Sequence, residues 1–255
     1  MPNFVYSFSE FLNESFLYEG TMRTASRLGE KEQEKHNALK IDFLKKQFDL
    51  CKKHKVKAFL DFGSLLGLYR DGKLIDNDND TDIGILGETV TREFLEDVAQ
   101  TFKLQRPTNM DTLINKMFKE NGDDDYHQIP YVGLMYVDTK GKPYTVKSMS
   151  KKNVNVVGDF FFYYPYTGGK RITRWPGWEV QLTPEKHFAR LGTVKYDGYS
   201  FPIPAAADEY LAYIYGNDWE TPKSNSGVNQ KLELISREEG HAYTYSFNDK
   251  KFNKK

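Results

Sequence analysis

Aspartates occupy every second position in the run Asp76-Asn77-Asp78-Asn79-Asp80-Thr81-Asp82, which leads straight into the apolar stretch Ile83-Gly84-Ile85-Leu86. On an extended chain such a spacing puts Asp80 and Asp82 on one face, with Asp78 at the same parity, and Thr81 and Ile83 on the other. From Asp71 to Asp82 there are five aspartates against the single Lys73. Unit charges about 4 Å apart repel by roughly 1 kcal/mol even in water, so this face calls for a cation. Magnesium prefers oxygen ligands and is usually held by one or two carboxylates plus substrate phosphates, which makes Mg2+ (or Mn2+) the matching ion and Asp80 and Asp82 its expected ligands. Without a cation, at least one of these acids is expected to titrate abnormally high.

Two plainer readings stand beside this one. Asp-Asn-Asp-Asn alone suits a solvated turn, but the apolar strand that follows places the last carboxylates at a buried edge. A calcium loop of the helix-loop-helix kind also alternates its first ligands. Counted from Asp76, however, its required glycine falls on Thr81 and its bidentate glutamate on Gly87, so that match fails.

Upstream, residues 57 to 62 read as a short strand, Gly63-Ser64 as a turn, and residues 65 to 70 as the start of a helix. A turn of this kind delivers backbone N–H groups and a hydroxyl to an anion. Gly63 allows close backbone approach, Ser64 can cap the helix and donate to a phosphate oxygen, and Arg70 brings a bidentate guanidinium. An ordinary N-cap for Ser64 and an ion pair with Asp71 for Arg70 are the competing roles.

Phe62-Gly63-Ser64-Leu65-Leu66-Gly67-Leu68-Tyr69-Arg70-Asp71-Gly72, followed by the aspartate run, resembles the signature of the LicD and fukutin family, a branch of the nucleotidyltransferase fold. Its members are phosphotransferases that decorate glycans. A second stretch, Val194-Lys195-Tyr196-Asp197-Gly198-Tyr199-Ser200-Phe201-Pro202-Ile203-Pro204 with Asp208-Glu209-Tyr210-Leu211 and Tyr215-Gly216-Asn217-Asp218-Trp219-Glu220-Thr221-Pro222, is similar to the family's closing motif. Between them, Val156-Val157-Gly158-Asp159-Phe160-Phe161-Phe162-Tyr163-Tyr164-Pro165 resembles its Asp-hydrophobic-Phe-Pro strand, and so nominates Asp159 as a third acid. The resemblance brackets roughly residues 56 to 222. Where family members commonly have Pro-Trp before the aspartates, this chain has Asp76-Asn77, and with Cys51 as its sole cysteine no cysteine-bound zinc is expected.

The resemblance implies an α/β (α+β) fold: a nucleotidyltransferase-like mixed β-sheet flanked by helices, with a C-terminal acceptor-side extension. It implies a cytidine diphosphate-linked (CDP-linked) donor whose distal phospho-group passes to a sugar hydroxyl of a cell-surface glycan or glycolipid, releasing CMP. Phosphocholine, phosphoethanolamine, glycerol phosphate and ribitol phosphate all remain open as the group moved. Asp78, Asp80, Asp82 and Asp159 form the expected catalytic set, in which Asp78 or Asp159 completes the metal shell or takes the acceptor proton. Gly63, Ser64 and Arg70 would bind the donor's phosphates. Template-independent nucleotidyl transfer from a nucleoside triphosphate, and a non-catalytic metal- or glycan-binding module, are the alternatives.

Positioning these residues takes a scaffold, and the chain has the means for one. At 255 residues, with 39% apolar and 15% aromatic side chains, it can bury a substantial core. Leu39, Phe43, Leu44, Phe48 and Cys51 recur at three- and four-residue intervals and predict a scaffold helix from about Glu30 to His54. Thr91 caps a further predicted helix that ends before Pro107. Residues 131 to 137 and 145 to 147 are expected to pair as a hairpin about the turn at 139 to 142, and the aromatic run 160 to 166 reads as a buried strand. Three segments are expected: an N-terminal helical extension (1–55), the catalytic core (56–170), and an acceptor-side segment with a basic tail (171–255), in which Trp175, Trp178 and Trp219 would wall the acceptor. The acidic cluster at 121 to 127 reads as a solvated loop.

Thirty-six acidic residues balance 36 basic ones, which argues against nucleic acid as a partner. No signal-peptide pattern and no apolar run long enough to span a bilayer is found, and a single cysteine suits a reducing compartment. The expected location is cytoplasmic, with peripheral contact to any membrane-linked acceptor.

Overall fold

The computed structural model describes residues 27–76, 78–105, 114, 131–174, 180–222, 233–235, 243–246 and 251–254. The acidic cluster at 121 to 127, Trp175 and Trp178 lie outside them.

A long helix, α1 (Glu30–Lys53), opens the described chain, with acids in its first turn and lysines in its last, as the helix dipole favours. Phe43 and Leu44 are fully buried and Phe48 and Cys51 nearly so, as the apolar spacing predicts. Strand β1 (Ala58–Leu60) follows, then the short helix α2 (Phe62–Leu66), which runs on as one π-helical turn over Gly67–Asp71. Strand β2 (Asp82–Leu86) leads to α3 (Arg92–Thr101), whose first turn is capped by the Thr91 hydroxyl accepting from the Phe94 N–H at 3.2 Å.

The main sheet gathers around one long strand, β7 (Val157–Tyr166). Its neighbours are β2, parallel, and β4 (Tyr131–Met135), antiparallel; β1 pairs antiparallel with β2, and β3 (Lys103–Leu104) with β4. A parallel pair needs a crossover, which here is the whole segment between Leu86 and Val157, α3 and β4 included. At the far end of β7 the sheet continues antiparallel through β8 (Lys170–Arg174), β9 (Val180–Pro184) and β12 (Glu233–Ile235). A smaller pair, β10 (Leu191–Tyr196) with β11 (Tyr199–Pro204), leads into α4 (Ala207–Tyr215).

Alternation along β7 divides its aromatic side chains between two helical layers. Phe160 stacks with Phe94 of α3 at 6.1 Å, whereas Phe161 meets Phe62 of α2 edge-on at 4.9 Å, and Tyr163 reaches Tyr210 of α4. Phe160 to Tyr164 are all buried, so the aromatic run is core. Asp159 has the parity of Phe161 and Tyr163, and therefore the face of α2 and α4.

One expected pairing differs. The chain does reverse about 139 to 142, with Val137 bridging Pro143, but β5 (Thr145–Lys147) pairs with β6 (Asn153–Asn155) rather than with β4. β4 is drawn instead to β7, where Val132 and Leu134 join the core.

Candidate active site

The site forms where the two parallel strands begin. Asp82, first residue of β2, is the register partner of Asp159 on β7, and the Asp159 N–H donates to the Thr81 carbonyl at 2.7 Å. Equal parity turns both carboxylates to the α2 face, while the Thr81 hydroxyl turns the other way and donates to Gln47 of α1 at 3.3 Å. Asp78 and Asp80 precede the strand, outside any regular element. One oxygen from each of Asp78, Asp80 and Asp82 lies within 4.8 Å of the others, with Asp82 buried and the other two half-buried. The structure thus brings Asp78 into the set with the two expected ligands.

The helix opposite begins one turn earlier than the sequence suggests. Asp61, not Ser64, is the N-cap: its carboxylate accepts from the Phe62 N–H at 2.9 Å, and Gly63 and Ser64 already belong to the first helical turn. The turn is abrupt, for Phe62 has φ +36°, a region that costs a non-glycine residue energy and recurs at functional sites. Ser64 is buried and its Oγ accepts from the Asp82 N–H at 2.9 Å, locking helix to strand. Gly63 is required by close approach. A Cβ there would stand 2.7 Å from Asp78 Oδ2 and 3.3 Å from Asp82 Oδ2.

Burial first, then the neighbouring acids, push two carboxyls well above the usual carboxylate range. Asp80 is raised by burial, Asp78 and Asp159, with Lys40 opposing; Asp82 is raised by burial and then by Asp80, Asp78, Asp159 and Asp61. Closely spaced oxygens that destabilise one another suit a hard divalent ion, so the residues present fit such a metal. Cys51 is buried and no cysteine joins the set.

Residues that sequence reasoning did not assign to the site support it from behind. Asp61 is fully buried and accepts from the Tyr163 and Tyr210 hydroxyls, each at 2.7 Å; burial pushes its carboxyl up to about 6 against those hydrogen bonds. Its cue was an aspartate directly before a helix start. Tyr215, at the end of α4, has its hydroxyl raised well above the ordinary range by burial and then by Asp82, Asp61 and Asp78, with Arg70 pulling the other way. Arg70 holds Asp71 through two N–H groups, at 2.7 and 2.8 Å, and donates to the Trp219 carbonyl at 3.2 Å. The Trp219 ring is buried beside Tyr69, 6.0 Å between centroids. Lys40 reaches the site from α1, a helix expected to be scaffold only.

Comparison with known proteins gives a match to the family described as LicD/FKTN/FKRP, nucleotidyltransferase domain, over residues 55–206. That span carries β1, α2, the aspartate run and Asp159, and stops short of α1 and α4. No curated protein sequence matches the chain. Among solved structures it is similar to the lincosamide antibiotic adenylyltransferase LnuA in its lincomycin-bound crystal structure, at 14% identity and a TM-score of 0.39, over 72% of this chain and 84% of that one. No helix among the described residues is long and apolar enough to cross a membrane.

Proposed function

The chain belongs to the LicD/FKTN/FKRP family, and from that premise we propose that it is a metal-dependent phosphotransferase acting on a CDP-linked donor and a sugar hydroxyl. The observation that carries this reading is the convergence of Asp78, Asp80 and Asp82 within 4.8 Å, directly opposite the helical turn of Gly63 and Ser64.

In this reading Asp78, Asp80 and Asp82 hold Mg2+ or Mn2+ (one ion or two), which when bound neutralises diphosphate charge and orients it. Ser64 keeps Asp82 in place and offers its hydroxyl proton to a phosphate oxygen. Gly63 leaves room for the carboxylates and the donor. Arg70, braced by Asp71 and the Trp219 carbonyl, turns its remaining N–H donors to the phosphates. Asp159, on the neighbouring strand and outside the converging trio, takes the proton of the acceptor hydroxyl. The acceptor oxygen bonds to the distal phosphorus as the bridging P–O bond breaks, and CMP leaves with that bridging oxygen. The segment 171–255 supplies the acceptor side, a glycan or glycolipid met from the cytoplasm.

Thermal stabilisation by cytidine, uridine and adenosine diphosphate-linked donors, with and without Mg2+, tests the proposal alongside Asp80→Asn. A Mg2+-dependent shift for a cytidine donor that is lost in the variant supports it. Preference for a nucleoside triphosphate would reassign the chain to nucleotidyl transfer, and no response to any donor would leave a non-catalytic module.

A further inference from the structure

Five aspartates, Asp61, Asp78, Asp80, Asp82 and Asp159, crowd this end of the sheet, and a cation reaches them from inside the protein. Lys40 is fully buried, and its Nζ donates to the Asp78 main-chain oxygen at 2.8 Å. A lysine is rarely buried without a partner, because an ammonium taken out of water loses its hydration. Here the partner is an acidic loop that is itself short of positive charge.

The neighbouring α1 residues show that the placement is specific. One turn before Lys40, His36 is also fully buried; burial, and then Lys40, hold its imidazole down at about 4, so it is uncharged near neutrality. Two turns after Lys40, Gln47 accepts from the Thr81 hydroxyl. Lys40 and Gln47 therefore grip the chain at Asp78 and Thr81, on either side of Asp80. All of this comes from a helix that ends before residue 55, where the family match begins.

We propose that Lys40 is the resident counter-charge and positioning residue of the acidic site, its buried ammonium pinning the Asp78 carbonyl so that the three carboxylates stay converged when no metal is bound. α1 is then part of the catalytic unit. The purpose assigned to Lys40 rests on the metal reading above, but its burial against the acidic loop and its hydrogen bond to the Asp78 carbonyl do not.

A double-mutant cycle of Lys40→Met and Asp80→Asn, made in the full chain and unfolded thermally in EDTA, tests the counter-charge role without any metal. Lys40→Met alone is expected to lower Tm by roughly 10 °C, and by less than half as much once Asp80 is asparagine. Recovery of folding only in the double variant would be the strongest support. Additive losses, or failure of both Lys40 variants to fold, would overturn the proposal, since the lysine would then serve packing alone. Mn2+ added to the parent separately tests the metal reading, and the cycle stands whichever way that falls. If Mn2+ does stabilise the parent, it must stabilise Lys40→Met by more, because the ion replaces the missing charge; an equal gain counts against the proposal.

Discussion

Asp82 and Asp159 stand side by side on the two parallel strands, one on β2 and one on β7, as register partners. A one-residue slip in that pairing would move one carboxylate to the opposite face, so the site is as well defined as the ladder that carries it. The roles proposed for the two acids can be separated. Asp82→Asn should abolish stabilisation by Mn2+ and lower transfer by about 10²-fold or more, while the metal-free protein becomes more stable, because a buried, crowded charge has gone. Asp159→Asn should lower transfer by about 10²–10⁴-fold and keep the Mn2+ response. Calorimetric Mn2+ titration beside a transfer assay checks both; loss of the Mn2+ response in Asp159→Asn would make it a ligand.

Gly63→Ala places a methyl group where Asp78 Oδ2 now lies, 2.7 Å from the new Cβ. The clash falls on the end of a side chain, which can swing away at little cost to the fold. Stability should therefore change by about 1 kcal/mol or less, and Mn2+ affinity should drop by roughly tenfold or more. Equal losses in both would show that the glycine serves the backbone rather than the carboxylates.

The acidic strand and the Gly-Ser segment were legible because period-two carboxylates and a strand-to-helix break are local patterns, whereas Asp159 was nominated by the family resemblance alone. The helical stripe of Leu39, Phe43, Leu44, Phe48 and Cys51 was legible for the same reason. What the sequence hid is long-range. Lys40 and Gln47 look like solvent-facing residues of an amphipathic helix until the sheet edge is laid against them, although with Gln33 and His36 they also recur at helical spacing and could have been read as a polar seam. Asp61 looks like the end of a strand until two tyrosines, 102 and 149 residues away, turn their hydroxyls to it. Pairing of β5 with β6 rather than β4 was decided by competition for β7, which no local turn signal reports.

Trp219 was expected to wall the acceptor, and its ring is buried against Tyr69 while its carbonyl braces Arg70. Trp219→Ala should cost about 3–5 kcal/mol in urea denaturation. Donor affinity should fall with it if Arg70 binds phosphate, since the guanidinium loses a support; unchanged donor affinity would remove Arg70 from the donor site.

Asp61 offers a pH-dependent test of the support behind the site. Its folded carboxyl is raised to about 6, so the folded state binds a proton more tightly than the unfolded chain does. This contribution is therefore greatest below the ordinary carboxylate range and is lost as pH rises toward 6. Above that, the ionised carboxylate depends on the hydroxyls of Tyr163 and Tyr210. Tyr210→Phe should cost about 1–3 kcal/mol at pH 8 and less at pH 5, where Asp61 is protonated. A cost independent of pH would point to lost packing instead.

The same sign logic applies to the metal. Asp80 and Asp82 are raised by burial and by neighbouring acids, so without an ion they retain protons above the usual carboxylate range, and a divalent cation must displace them. The Mn2+-induced rise in Tm should therefore grow as pH increases from about 5.5 to 8, with protons released on binding. Reading the difference with and without Mn2+ cancels the opposing influence of His36 and His187, whose imidazoles burial holds neutral and which weaken the fold as pH falls below the ordinary histidine range. Calorimetry in buffers of different ionisation enthalpy counts the protons directly. Asp80→Asn should lose the increment at every pH, and an increment that is flat with pH in the parent would mean that Mn2+ binds away from the raised carboxyls.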